Sequence, residues 1–319
     1  MKTFLLLGIL ILSLSVMAQR PPMTGTLGYI KNQSVVLENL QTRRSQTVGN
    51  SSGVRWFAFT GTRLVLWREA GIFVSFPPYQ TAVPSSINAQ FLEGIASVGE
   101  KLFLAYRRPN SQVLVYQTHV LTTMQSQVSP FFPETSNRDG SVLAYRIGSR
   151  VRVLRGNLAQ TALEYPQTEA LNWGVSMPAL SPDGKSILFA HNNGSGFLES
   201  GQSQWRLQLR NLETRQEKTL FVHMARIPDG ISVSPDGTRA LVSYAQDKKN
   251  ILEIVNLELG FTRILHQNFL EGVAGSWSPD GQSVLAENIA GNASEVFIKD
   301  PNGQTLQTIF GAQMAQWLP

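Results

Sequence analysis

Short apolar runs alternate with polar or glycine-containing breaks along most of this chain, a rhythm that predicts strands joined by tight turns rather than helices. The pattern is sharpest in three segments, at 178–190, 231–244 and 275–286. Each carries a short apolar stretch, then Ser-Pro-Asp-Gly, then a second apolar stretch. The turn chemistry is specific. Proline presets φ at the first central position, aspartate bonds its own local backbone, and glycine takes the positive φ that other residues resist. The flanking runs are rich in Val, Leu, Ile and Tyr, as strands are. Each segment is therefore predicted to be a hairpin, with Asp183-Gly184, Asp236-Gly237 and Asp280-Gly281 as its structural turn residues.

Fainter copies continue the series toward the N-terminus. The segment 137–145 keeps Asp139-Gly140 and the following strand, 98–106 keeps a turn glycine, and 59–67 repeats the Gly-Thr-Arg of 237–239. The turn glycines are then Gly25, Gly61, Gly99, Gly140, Gly184, Gly237 and Gly281, spaced 36, 38, 41, 44, 53 and 44 residues apart. Such spacings match the period of about 40–50 residues of four-stranded propeller blades. After each turn strand comes a second extended run, then a polar turn and a short outer strand, which is blade anatomy. The C-terminal Ala315-Gln-Trp-Leu-Pro319 resembles Gly275-Ser-Trp-Ser-Pro279, the first strand of a unit, whereas Gly25 has no such strand before it in the mature chain. The two fragments complement each other. The expected fold is all-β: a β-propeller of seven four-stranded blades, six being the alternative, closed by the C-terminal strand joining the first blade.

Only the first segment breaks this rhythm. Lys2 precedes an almost unbroken apolar run from Phe4 to Val16, and Val16-Met17-Ala18 offers the residues that signal peptidase reads. Residues 1–18 are read as a signal peptide and 19–319 as a single propeller domain, periplasmic or secreted, with no membrane anchor after cleavage. The chain has no cysteine, so a disulfide contributes nothing. The net charge of +5 becomes +4 without Lys2 and is spread along the chain in isolated pairs such as Arg43-Arg44, Arg107-Arg108 and Lys248-Lys249. These read as solvated loops and strand edges and give no support to nucleic-acid binding. A monomer is expected.

The Ser-Pro-Asp-Gly units resemble the TolB-type (WD40-like, PD40) β-propeller repeats, specifically over roughly 176–300 and weakly before residue 130. The resemblance implies blades whose Ser-Pro-Asp-Gly turn joins the inner two strands, and an envelope protein or peptide bound at the propeller mouth. The family's α/β domain has no room ahead of the first repeat. Similar repeats precede the hydrolase domain of prolyl oligopeptidase-like enzymes, but no Gly-x-Ser-x-Gly elbow occurs here.

Candidate chemistry is sparse. The recurring Asp139, Asp183, Asp236 and Asp280 read as hairpin braces rather than cation ligands. Phe91-Leu-Glu-Gly94 and Phe269-Leu-Glu-Gly272 are identical, and Pro228-Asp-Gly230 is similar. They place Glu93, Asp229 and Glu271, with Glu134 as an equivalent, where inner strands begin. Acids there would converge into a negative rim able to bind a cation or a basic peptide; the alternative is that these are ordinary turn dipeptides. His119, His191, His223 and His266 fall in different blades, and a cluster of His119 or His191 with Glu93 and Glu271 would favour a lyase or hydrolase. Trp56, Trp173, Trp277 and Trp317 lie at or near inner strands, for packing or for an aromatic ligand site. A 191–203 loop rich in Gly, Ser and Asn accounts for the 53-residue interval. No cofactor and no metal are expected. The leading functional reading is a non-catalytic binding scaffold, and a propeller-type lyase or hydrolase is the alternative.

Overall fold

The structure, a computed structural model, describes residues 23–111, 113–123, 125–147, 150–164, 174–192, 205–224, 227–268, 272–289 and 294–318. These form seven antiparallel sheets, and the described residues contain strands and turns but no helix. The inner strands of blades 2 to 7 are Val54–Thr60, Leu92–Val98, Thr135–Ser136, the split pair Gly174–Val175 and Ala179–Leu180, Gly230–Val233 and Gly272–Trp277. Blade 1 takes its inner strand from the other end of the chain. Ala312–Trp317 pairs antiparallel with Thr26–Lys31, setting Trp317 opposite Leu27 and Ala312 opposite Lys31. The seven-bladed ring closed by the C-terminal strand is thus the observed architecture, and the six-bladed alternative falls.

Sequence patterning explains why the blades stack. The second strand of each blade is covered on both faces, so it reads as a continuous apolar run such as Ile187-Leu-Phe-Ala190 or Ala240-Leu-Val-Ser-Tyr244, each residue of which is buried. The buried apolar side chains divide into seven clusters, each spanning two neighbouring blades. Val142, Val151 and Val153 of blade 4 pack on Ile187 and Phe189 of blade 5, for example. Blades 1 and 6 also each bury a tyrosine–carboxylate pair between their second and third strands: Tyr29 Oη donates to Glu38 Oε2 at 3.1 Å, and Tyr244 Oη to Glu253 Oε2 at 2.7 Å.

The turns between the inner two strands come in two kinds. Gly140, Gly184, Gly237 and Gly281 all take left-handed φ, between +69° and +73°. In the Ser-Pro-Asp-Gly turns the aspartate accepts twice: Asp183 Oδ1 from Ser181 Oγ at 2.6 Å and from Lys185 N at 3.0 Å, with matching bonds at Asp236 and Asp280. Blades 2 and 3 instead close with the two-residue turns Gly61-Thr62 and Gly99-Glu100, between the paired residues Thr60 and Arg63 and between Val98 and Lys101. The motif fades there because a shorter turn needs only its glycine. One position shifts. Leu318 N donates to Thr26 O as Ser181 N does to Ser186 O, so Thr24 and not Gly25 stands where the turn glycine stands elsewhere. The chain is interrupted at this turn, and no tight reversal demands a glycine there.

The braced aspartates carry a pH signature. Hydrogen bonds from Ser181 and Lys185 hold Asp183 below its ordinary range, and bonds from Ser141 do the same for Asp139. At Asp236 burial pushes the pKa up, but the Ser234 and Thr238 donors outweigh it and bring it down to about 2. A carboxyl depressed in the folded state adds stability that is full above its unfolded value of 3.8 and is lost as pH falls toward about 2. The urea midpoint is expected to drop over that window. Asp236→Asn is expected to lie below wild type at pH 7, with the gap closing near pH 2; a gap independent of pH would refute the linkage.

Candidate functional site

The inner strands run from one mouth of the channel to the other, so their first and last residues mark two different rims. A six-residue strand such as Gly272–Trp277 spans roughly 20 Å. Glu93 lies near the start of Leu92–Val98, Glu134 just before Thr135–Ser136, and Asp229 just before Gly230–Val233. The register gives Glu93 and Asp229 matching positions, each five residues before the residue that brackets its turn, whereas Glu134 stands three residues before Asn137 and so nearer the turn mouth. Glu271 lies outside the described residues. The acids do not stand alone. Glu93 is bound by Arg107, whose Nη2 donates to Oε2 at 2.6 Å, and Glu134 pairs with Arg146 at 3.2 Å. In both blades the arginine comes from the end of the second strand. The Arg107 hydrogen bonds hold the Glu93 carboxyl below its usual range. Asp229 N donates to Ser243 O at 2.8 Å, extending the ladder of blade 6.

The histidines sit on the second, third or fourth strands of their blades. His119 pairs with Leu102 on the third strand of blade 3, whereas Glu93 sits against Arg107 at the far end of the same neighbouring strand, Lys101–Arg107. The two are thus held apart by the length of that strand. Burial lowers the His119 pKa, and its Nε2 lies 3.3 Å from Gln117 Oε1. His191 lies on the second strand of blade 5, opposite Arg206 and Val175. His266 Nε2 meets Asn288 Oδ1 at 2.7 Å across the blade 6–7 seam, and burial lowers its pKa too. His223 belongs to the outer strand of the same blade 5, Glu217–Met224, so His191 and His223 share a blade where the sequence reading puts all four histidines in different ones. Among the described residues no three of His, Asp and Glu gather closely enough to hold a metal ion. Trp173 and the 193–203 part of the long loop lie outside the described residues.

A cavity of about 470 Å³ opens at the opposite, turn mouth. Its wall is one repeat position seen five times. The last residue of the inner strand is Ser136 in blade 4, Leu180 in blade 5, Val233 in blade 6, Trp277 in blade 7 and Trp317 in blade 1, and all five line it. The rim is the first central turn position, filled by Pro182, Pro235 and Pro279, and by Arg138 in blade 4. Among the described residues Arg138 is the one charged side chain that lines it, and no Asp, Glu or His does.

The donors of this cavity are unequally engaged. Trp277 Nε1 donates to Ser232 O at 3.3 Å, and the Arg239 guanidinium lies over its ring, 4.9 Å from the centroid. Trp317 Nε1 is buried and has no hydrogen-bond partner. Leaving such a donor unpaired costs about 1–3 kcal/mol. Sequence reasoning places both tryptophans at inner strands but looks for the site among the acids of the other rim. The signal that finds the cavity is the matching position of Trp277 and Trp317 directly before their turns, read together with an arginine in a proline slot.

No protein-family model matches this chain, and no curated protein sequence matches it. Solved structures do. TolB from Acinetobacter baumannii is similar over 93% of this chain and 67% of its own, at 13% identity and a TM-score of 0.56. An oligogalacturonate lyase solved in complex with manganese is similar over 88% of this chain and 83% of its own, at 12% identity and a TM-score of 0.61. The Cps50 (Swd1) β-propeller domain of Myceliophteria thermophila is similar over 81% of this chain and 86% of its own, at 14% identity and a TM-score of 0.52. TolB, a lyase and a Cps50 domain share this fold about equally well, so the likeness speaks for architecture alone: the chain is a seven-bladed β-propeller.

Proposed function

We propose that this chain is an exported, non-catalytic scaffold that holds a protein or peptide partner at one mouth of its channel. The observation that carries the reading is the cavity at the turn mouth. It combines apolar walls from Leu180, Ile231, Val233 and two indoles with a guanidinium and several hydroxyls that no other described residue engages. Its volume falls in the range of roughly 300–1,000 Å³ typical of ligand sites. Among the described residues no Asp, Glu, His or Lys lines it, so they offer binding groups without the pairs that general acid–base chemistry needs. Export rests on the apolar Phe4–Val16 run and the Val16-Met17-Ala18 cleavage pattern. The acids read from the sequence, Glu93, Glu134, Asp229 and Glu271, are the alternative docking place, toward the upstream mouth of the channel.

Site-specific photo-crosslinking tests this. A crosslinker replacing Ser232 in the cavity is expected to capture a discrete partner from envelope extract. One replacing Leu158, 79% exposed on an outer strand, serves as the control. Equal capture at both positions, or none at Ser232 and none at Glu93, would sink the channel-scaffold reading.

A further inference from the structure

The cavity at the turn mouth has a sign. Four blades line its rim at one turn position, and three of them place proline there. Proline suits that position because its ring presets the φ the turn needs. Blade 4 gives up that advantage for Arg138, which is exposed. Among the described residues no hydrogen bond or ion pair engages its guanidinium. The same holds for the hydroxyls of Thr135, Ser136, Ser232 and Ser276. Among the described residues no carboxylate lines the cavity to neutralise the arginine. A free guanidinium fork and several unused hydroxyls present donors to one space, and Trp317, whose side chain also lines it, holds an unpartnered indole N–H buried from solvent. Around them stand Leu180, Ile231, Val233 and the Trp277 ring.

Building on the channel-scaffold reading, we propose that the turn-mouth cavity binds a peptide segment carrying a carboxylate beside an apolar side chain, with Arg138 as the anion anchor and Trp317 Nε1 as a second donor. The carboxylate is the free C-terminus of the peptide or an Asp or Glu side chain; both present the planar, bidentate acceptor that guanidinium matches. The apolar neighbour occupies the indole and aliphatic wall. This polarity is opposite to the basic peptide that an acidic upstream rim would select.

The test uses the full mature chain and short synthetic peptides in matched sets: with and without Asp or Glu beside Leu or Phe, and with a free or amidated C-terminus. Binding is read by fluorescence polarisation at low and high salt. Binders are expected to require a carboxylate and to weaken as salt rises. The free-acid and amide arms separate the two carboxylate sources. Arg138→Gln, at an exposed and unpaired position, is expected to weaken binding at least about tenfold, the scale of one lost charge-assisted bond, without moving the urea midpoint. Trp317→Phe keeps the ring and removes the N–H, and is expected to weaken binding several-fold. Unchanged affinity in either variant overturns the assignment. So does binding that ignores the carboxylate, or binding of oligogalacturonate through Arg138 in place of any peptide. Binding that survives Arg138→Gln but is lost in Glu93→Gln/Glu271→Gln overturns this proposal while leaving a channel scaffold at the other mouth. No peptide binding at all overturns both.

Discussion

Truncation after Phe310 is expected to leave a chain that no longer unfolds cooperatively and that aggregates at micromolar concentration. The reason is that Ala312–Trp317 joins the two ends of the ring. Without it Thr26–Lys31 becomes an edge strand with its backbone groups unpaired. Leu27, Tyr29 and Ile30, at 0%, 5% and 1% exposed, lose cover. At roughly 1.5–3 kcal/mol for each such side chain, exposing these three alone costs about 5 kcal/mol or more. A domain whose whole stability is about 5–15 kcal/mol does not readily survive that. The strand is also held from the side. Glu287 of blade 7 accepts from Met314 N at 2.5 Å and Ala315 N at 3.2 Å, and Gln316 Nε2 donates to Phe57 O of blade 2 at 2.9 Å. An apolar, flat edge is a template for pairing with another copy. Size-exclusion chromatography and a urea melt followed by tryptophan fluorescence check the outcome. A monomeric truncated chain with a sharp transition would show that ring closure is dispensable. A circular permutant that ties the ends through a Ser-Pro-Asp-Gly turn and opens a different turn is the control, and it is expected to fold. Leu318 N already bonds Thr26 O, the contact that brackets every such turn.

Ring closure is legible in the amino-acid sequence because two fragments need completing. The strand at 315–319 lacks a partner within its own unit, and Gly25 lacks a preceding strand. The blade count is legible because turn chemistry is local: Ser, Pro, Asp and Gly fix a hairpin through bonds within five residues. The copies fade in blades 2 and 3 because Gly61-Thr62 and Gly99-Glu100 reach the same reversal in fewer residues. The site is less legible. Sequence order places Glu93, Glu134 and Asp229 near the starts of their inner strands, though Glu134 lies two residues nearer its turn than the other two. It does not show that Arg107 and Arg146 return on the adjoining strands to pair with two of them. The cavity is hidden for the converse reason. Its wall is assembled from Ser136, Leu180, Val233, Trp277 and Trp317, unlike residues that share only a place in the repeat. A channel site is a property of the ring, and its residues are spread over five blades.

The tightness of the ring makes the second large effect. Gly184→Ala is expected to cost about 2–4 kcal/mol, more than its turn geometry alone can explain. Gly184 has φ +69°, where an alanine costs about 1–2 kcal/mol. The rest comes from the neighbouring blade. A Cβ at Gly184 would stand 2.7 Å from Val142 Cγ2 and 3.2 Å from Val142 Cβ. Val142 is 6% exposed and belongs to the blade 4–5 core, so it has little room to yield. Overpacking of this kind costs about 1–3 kcal/mol. Arg155 Nη2 adds a bond to Gly184 O at 2.7 Å, which pins the turn where the clash occurs. Gly156→Ala isolates the backbone cost, since Gly156 has φ +57° and nothing within 4 Å of its would-be Cβ. The difference in urea-derived stability between the two variants then measures the contact between blades. Equal losses would mean that the blades slide to accommodate a methyl group. Adding Val142→Ala should separate the cases. In Gly184→Ala it opens the space the methyl needs, so the double variant is expected to be more stable than the two losses added together. Strict additivity would show that the Ser-Pro-Asp-Gly turn braces its own hairpin and contributes nothing to the joint between blades.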